Sequence, residues 1–88
     1  MKAHFHTSFQ KVFVKRIQPQ NKLSRKFDER FKLFMMNPRN PLLSDHPLKG
    51  NKEGLRAFSI TGDIRALYYI LGDTAYFVDI GTHNQVYT

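Results

Sequence analysis

The sequence predicts an α+β fold in the order β-α-α-β-β-β, with a helical hairpin packed on one face of a small, mainly antiparallel sheet and a short C-terminal turn. Three observations lead there. Apolar residues recur at helical spacing between Ser8 and Met36, strand-like alternation takes over after Gly54, and the stretch between them follows neither period. With 88 residues, the chain has room for one domain, residues 1–88, and its eight Phe and four Tyr point to a Phe-rich core.

Ala3 to His6 reads as a short extended segment. Ser8 is the expected N-cap of a helix whose Phe9, Val12, Phe13 and Ile17 share one face. Gln18-Pro19-Gln20-Asn21 breaks it. A second helix carries Leu23, Phe27, Phe31, Phe34 and Met35 on one stripe, and Asn37-Pro38 ends it because the residue before a proline is pushed out of the helical region. From Asn37 to Lys52, four prolines and glycines among Asn, Ser and Asp predict a long loop or a set of turns. Three strands follow as a meander: Gly54 to Thr61, Ile64 to Leu71 and Thr74 to Ile80, with turns at Gly62 and Gly72-Asp73.

Alternation assigns Phe58, Ile60, Ile64, Ala66, Tyr68, Ile70, Tyr76, Val78 and Ile80 to the sheet face under the helices. The opposite face, with Ala57, Ser59, Arg65, Leu67, Tyr69 and Asp79, is expected to be half exposed and able to line a cleft. Gly81 ends the last strand. Beyond it, His83 and Tyr87 stand four residues apart and share a face if the chain makes a helical turn.

Fourteen Lys and Arg against seven Asp and Glu give a net charge of +7, which suits a polyanionic partner such as nucleic acid or an acidic protein. The absence of Cys removes disulfides and thiolate metal sites, and makes a cytoplasmic protein the default expectation. No apolar run approaches the roughly 20 residues of a membrane span, and no signal peptide is evident at Met1. His4-x-His6 places two imidazoles on one strand face, but an ordinary strand end is the expected reading, and no metal or other cofactor is expected.

Phosphate-loop, zinc-protease and nucleophile-elbow motifs are absent. What remains is a set of polar side chains at element boundaries: His46, Asp63, Arg65, His83 and Tyr87. Singly, each has a plain structural reading. His46 would hydrogen-bond its own turn, Asp63 would serve a turn, Arg65 would pair with a carboxylate such as Asp79, and Tyr87 would pack at the C-terminus. Together, on a basic domain, they suit RNA cleavage without a metal. That reaction needs a base for the ribose 2′-OH, an acid for the leaving 5′-oxygen and a cation for the phosphorane. Histidine fits the first two tasks and arginine the third, while Tyr87 can stack on a base or donate its hydroxyl.

Three segments carry a resemblance: His46-Pro47-Leu48-Lys49-Gly50, the run from Arg56 through Phe58, Ile60, Gly62-Asp63 and Arg65 to Tyr68, and Asp79 to Tyr87 with its Gly81-Thr82-His83 core. In these the chain resembles the YafQ-like branch of the RelE/ParE toxin superfamily, over essentially its whole length. The resemblance implies a small mRNA interferase, a toxin of a type II toxin-antitoxin system that cuts mRNA at the ribosome. It implies an antitoxin that wraps the toxin, a complex that can bind operator DNA, and roles for His46, Asp63, Arg65, His83 and Tyr87 in catalysis, with Lys49, Lys52 and Arg56 guiding the RNA backbone. The chain departs from the YafQ pattern at Ser59, where that pattern has histidine, and at Ile64, where it has tryptophan. Two other readings stand beside this one. One is a non-enzymatic ParE-type toxin acting on DNA gyrase; the other is an inactive module that binds an antitoxin.

Overall fold

A computed structural model describes residues 1–87. Its sheet contains β1 (Lys2–Phe5), β2 (His46–Pro47), β3 (Arg56–Ser59), β4 (Ile64–Leu71) and β5 (Thr74–Thr82), in the spatial order β1-β5-β4-β3-β2. β1 lies parallel to β5, and the other neighbours are antiparallel. Helices α1 (Thr7–Arg16) and α2 (Asn21–Met36) cover one face, and α3 (His83–Val86) packs on the other. The expected element order holds, with one strand more than expected.

That strand is His46–Pro47, inside the stretch read as irregular. Two residues are too few to show a period of two, and proline is tolerated there because β2 is an edge strand. β3 is shorter than the Gly54 to Thr61 segment expected for it. Gly54 adopts φ +94 in the turn before it, and beyond Ser59 the Ile60 and Thr61 N–H groups turn back onto the Ile64 carbonyl.

Ser8 does not cap α1. His6 occupies the N-cap without a side-chain cap bond, and the Ser8 hydroxyl donates instead to the Val78 carbonyl, 2.9 Å away on β5. A tertiary acceptor has won over the local one. The aromatic stripes of α1 and α2 behave as their spacing implies. Phe9 from α1, Ile17 at its C-cap and Phe34 from α2 are buried with Phe58, Tyr68, Phe77 and Ile80 from the sheet, and Phe34 stacks on Phe58 at 4.7 Å.

The faces of β5 are where simple alternation fails. Between the pairs Leu67 with Asp79 and Tyr68 with Phe77, Val78 has no opposite number, so β5 carries one extra residue. Such a bulge reverses the parity of every side chain beyond it. Ala75, Phe77 and Ile80 therefore enter the helical core, while Tyr76 and Val78, expected there, lie on the other face. Tyr76 stacks on Tyr69 at 5.1 Å, and Ile70, also assigned inward, is exposed at the end of β4.

The face expected to be half exposed contains a second small core. Ala57 and Leu67 are fully buried beneath Val86 of α3, with Leu48, Leu55, Val78 and Tyr87 packed around them. This core seats the C-terminal residues on the sheet.

Candidate functional site

α3 is held by its own sequence. Thr82 is the N-cap: its hydroxyl accepts the Gln85 N–H at 3.3 Å, and the Gln85 side chain accepts the Thr82 N–H at 2.8 Å, completing a capping box. Gly81 makes room for this. A Cβ there would stand 2.5 Å from Gln85 Oε1, 3.1 Å from Gln85 Cβ and 2.8 Å from Arg16 Nη1. Both side chains could swing away only by giving up the capping bond and the Arg16 contacts to Asp79 and the Ile80 carbonyl. Gly81→Ala is therefore expected to lower stability by about 1 to 3 kcal/mol, and to speed amide hydrogen exchange across residues 82–87. Unchanged protection there would refute this role for Gly81.

Once α3 is seated, His83 projects from its first turn and Tyr87 follows its last, with ring centroids 4.5 Å apart in a T-shaped arrangement. Lining an open cleft of about 630 Å³ with them are His46 with Leu48 and Lys49 from β2 and its exit, Lys52 from the short 3-10 turn, and Arg65 from β4. Six of the eight residues singled out from the sequence thus line one cleft: His46, Lys49, Lys52, Arg65, His83 and Tyr87. Two do not. Asp63 sits exposed in the β3–β4 turn, where its backbone N–H donates to Thr61 Oγ1 at 3.2 Å. Arg56 projects to the other side of the sheet, lining a separate hollow with Asp45 and Tyr68.

Each cleft residue is set by bonds behind it. The Arg65 guanidinium donates through Nη1 to the carbonyls of Thr61 at 3.0 Å, Gly62 at 3.1 Å and Ile64 at 3.4 Å. The Nε and Nη2 donors take no part in that anchoring. Asp79, expected to be its partner, pairs instead with Arg16 at 3.3 Å. The adjacent strands β4 and β5 thus present these groups to different neighbours, and Arg65 has no carboxylate partner among the described residues.

His46 hydrogen-bonds its own turn, with Nδ1 2.9 Å from the Ser44 carbonyl oxygen. A carbonyl can only accept, so Nδ1 carries the proton, and in the neutral ring Nε2 keeps its lone pair. Ser44 adopts a left-handed φ of +48, which aims that carbonyl. The residue between them, Asp45, clamps the turn. Its nearly buried carboxylate accepts Arg56 Nε at 2.7 Å, pairs with Arg56 Nη2 at 2.7 Å and accepts the Tyr68 hydroxyl. Burial and then this bond push the Tyr68 hydroxyl well above its ordinary range, and the carboxylate holds Arg56 charged. Asp45 has no distinguishing signal in the sequence beyond standing next to His46, because its partners are 11 and 23 residues away.

Burial raises the pKa of Tyr87, and the nearby positive charge of Arg65 partly opposes this. Its hydroxyl is buried and has no hydrogen-bond partner among the described residues. The cleft therefore brings together a guanidinium with no carboxylate partner among the described residues, two imidazoles, two lysines and the Tyr87 ring. Such a set can hold a phosphodiester and move protons on either side of it.

Among the described residues no group of three or more His, Asp or Glu side chains is placed to hold a metal, and His4 and His6 lie with ring centroids 5.6 Å apart beside Tyr76. Among the described residues no helix is long and apolar enough to cross a membrane.

No family model matches the sequence, and no curated protein matches it. Solved structures do match the fold. A leucine-to-serine variant of a toxin from Helicobacter pylori, crystallised with copper bound, is 27% identical, with 98% of each chain covered and a TM-score of 0.77. A histidine-to-glutamine variant of YafQ from E. coli is 24% identical, covering 99% of this chain and 98% of that one at a TM-score of 0.83. YafQ in the E. coli DinJ-YafQ complex is also 24% identical, covering 99% and 98%, at a TM-score of 0.80.

Proposed function

We propose that this chain, which has the fold of the RelE/ParE-like toxins, is the toxin of a toxin-antitoxin pair and a metal-independent endoribonuclease acting on mRNA. One observation carries the enzymatic reading: His46, Arg65, His83 and Tyr87 line a single cleft together with Lys49 and Lys52.

In the reaction, neutral His46 takes the ribose 2′-OH proton at Nε2, the nitrogen left free by the Ser44 bond. The 2′-oxygen forms a bond to phosphorus as the bond to the 5′-oxygen breaks. His83, protonated, gives its proton to that leaving oxygen. Arg65 offsets the charge on the phosphorane, and the Tyr87 ring supports a base. The products carry a 2′,3′-cyclic phosphate and a 5′-hydroxyl. Lys49 and Lys52 hold the flanking backbone. Asp63 and Arg56 stand outside the cleft, so their contribution is support: Arg56 fixes Asp45 and through it the turn that bears His46.

Ser59 lies beside Arg65 in the sheet register, and Ile64 is 8% exposed within the core, so neither supplies the histidine or tryptophan of the YafQ pattern. The acid and base duties fall to His46 and His83 alone. Because YafQ of E. coli is found in a complex with DinJ, we infer a cognate antitoxin for this chain, able to cover the basic cleft, and a cytoplasmic setting in which mRNA on the ribosome is the substrate.

Incubating the purified chain with mRNA in EDTA, with and without translating ribosomes, tests this reading. Fragments ending in 2′,3′-cyclic phosphate are expected. Intact mRNA in both arms together with gyrase-linked DNA breaks would establish the ParE-type alternative instead.

A further inference from the structure

Beside the cleft, at the hairpin end of the sheet, lies a second hollow of about 540 Å³ lined by Lys26, Arg30, Ser44, Ser59, Thr61 and Arg65. Arg65 belongs to both hollows. We propose that this hollow binds an RNA phosphate neighbouring the one that is cut, so that the strand runs from the cleft past Arg65 and across α2. The proposal rests on the RNA reading of the cleft.

Charge supports it first. Lys26, Arg30 and Arg65 bring three positive charges, against Glu29, 3.4 Å from Lys26 Nζ and 3.7 Å from Arg30 Nε, and Asp63, which follows Gly62 of the same wall. Three cations less two anions leave a surplus of one. Within the domain's excess of +7, this is a local concentration next to the reacting group.

Donor inventory supports it second. The Arg30 side chain is pinned by Nη1 donating to the Leu42 carbonyl at 2.7 Å, which fixes the guanidinium plane. Thr61 Oγ1 accepts the N–H groups of Asp63 and Ile64, leaving its own O–H to donate outward. Ser44 and Ser59 add hydroxyls to the same wall. Charged and neutral donors around one concavity are how proteins hold phosphate oxygens. A strand with one phosphate at Arg65 carries its next phosphate to this wall, which favours RNA over a free anion.

The test uses a fluorescent single-stranded oligoribonucleotide bearing 2′-O-methyl groups throughout, which lacks the attacking hydroxyl and survives binding to the active chain. Lys26→Gln, a change at a side chain bonded only to Glu29, is expected to weaken binding about threefold to tenfold and to make the log Kd against log salt plot shallower by about 0.7. Glu29→Gln is expected to tighten binding. Lys11→Gln, the same charge loss on the exposed side of α1, should stay within about twofold of the unaltered chain. If the unaltered chain does not bind the oligonucleotide, the RNA reading of the cleft itself falls. If it binds but Lys26→Gln behaves as Lys11→Gln does, the hollow is off the RNA path and the proposal is overturned. Competition by a poly-glutamate peptide that Lys26→Gln abolishes, with RNA binding unaltered, would assign the hollow to an acidic protein partner instead.

Discussion

His83→Ala is expected to slow RNA cleavage by about 10² to 10⁴-fold, with KM changed little, and His46→Ala to do the same. Both imidazoles line the cleft, but their surroundings differ. The His46 Nδ1 bond to the Ser44 carbonyl commits one nitrogen and leaves the other as an acceptor, which suits a base. His83 rests edge-to-face against Tyr87 at the start of α3. In the proposed displacement, proton removal and proton donation occur at opposite ends of the scissile phosphate, so two histidines in one cleft can divide the work by position. If both act in that one displacement, the double variant should fall by less than the product of the two single losses. Single-turnover rates on labelled RNA, with circular dichroism confirming the fold, provide the measurement. Full-rate cleavage by the double variant would remove both histidines from the mechanism.

The largest effect on stability is expected at Phe34. It is fully buried, stacks on Phe58 at 4.7 Å and meets Tyr68 at 4.8 Å and Phe77 at 5.6 Å. It therefore joins α2 to three strands. Phe34→Ala removes an aromatic side chain from a site ringed by other rigid rings, which cannot collapse into the space, so about 3 to 5 kcal/mol should be lost. A domain of this size typically has only about 5 to 15 kcal/mol in hand. Urea unfolding should show the midpoint falling steeply with little change in slope, and Phe31→Ala, at a half-buried position, should cost less. A loss at Phe34 under about 1.5 kcal/mol would show that the aromatic cluster is not the chief tie between layers.

Much of this was legible in order along the chain. The α1 and α2 stripes, the Gly72-Asp73 hairpin and the turn after Gly81 are each specified within a few residues, by side-chain period, by a glycine at φ +62 and by the Thr82 and Gln85 capping pair. The site residues were legible as types, because His46, Arg65, His83 and Tyr87 combine into one chemistry wherever they can meet. What escaped notice was anything decided by a distant partner. Ser8 bonds Val78 rather than its own helix, Asp45 finds Arg56 and Tyr68, and Asp79 finds Arg16 in place of Arg65.

By itself, then, the sequence determined the elements, their order, the excess of positive charge and the residue types that suit the proposed chemistry, since these depend on period, turn chemistry and composition. Only the tertiary structure decided which of those residues share a cleft. The bulge at Val78 shifts β5 by one residue, and with it the face of every side chain beyond, so that α3 settles on Ala57 and Leu67 and brings His83 and Tyr87 into one cleft with His46. The same packing leaves Asp63 in solvent and turns Arg56 to the far side. A one-residue register change leaves composition untouched and is fixed by the sum of many side-chain contacts across strands, which is why no local pattern announces it.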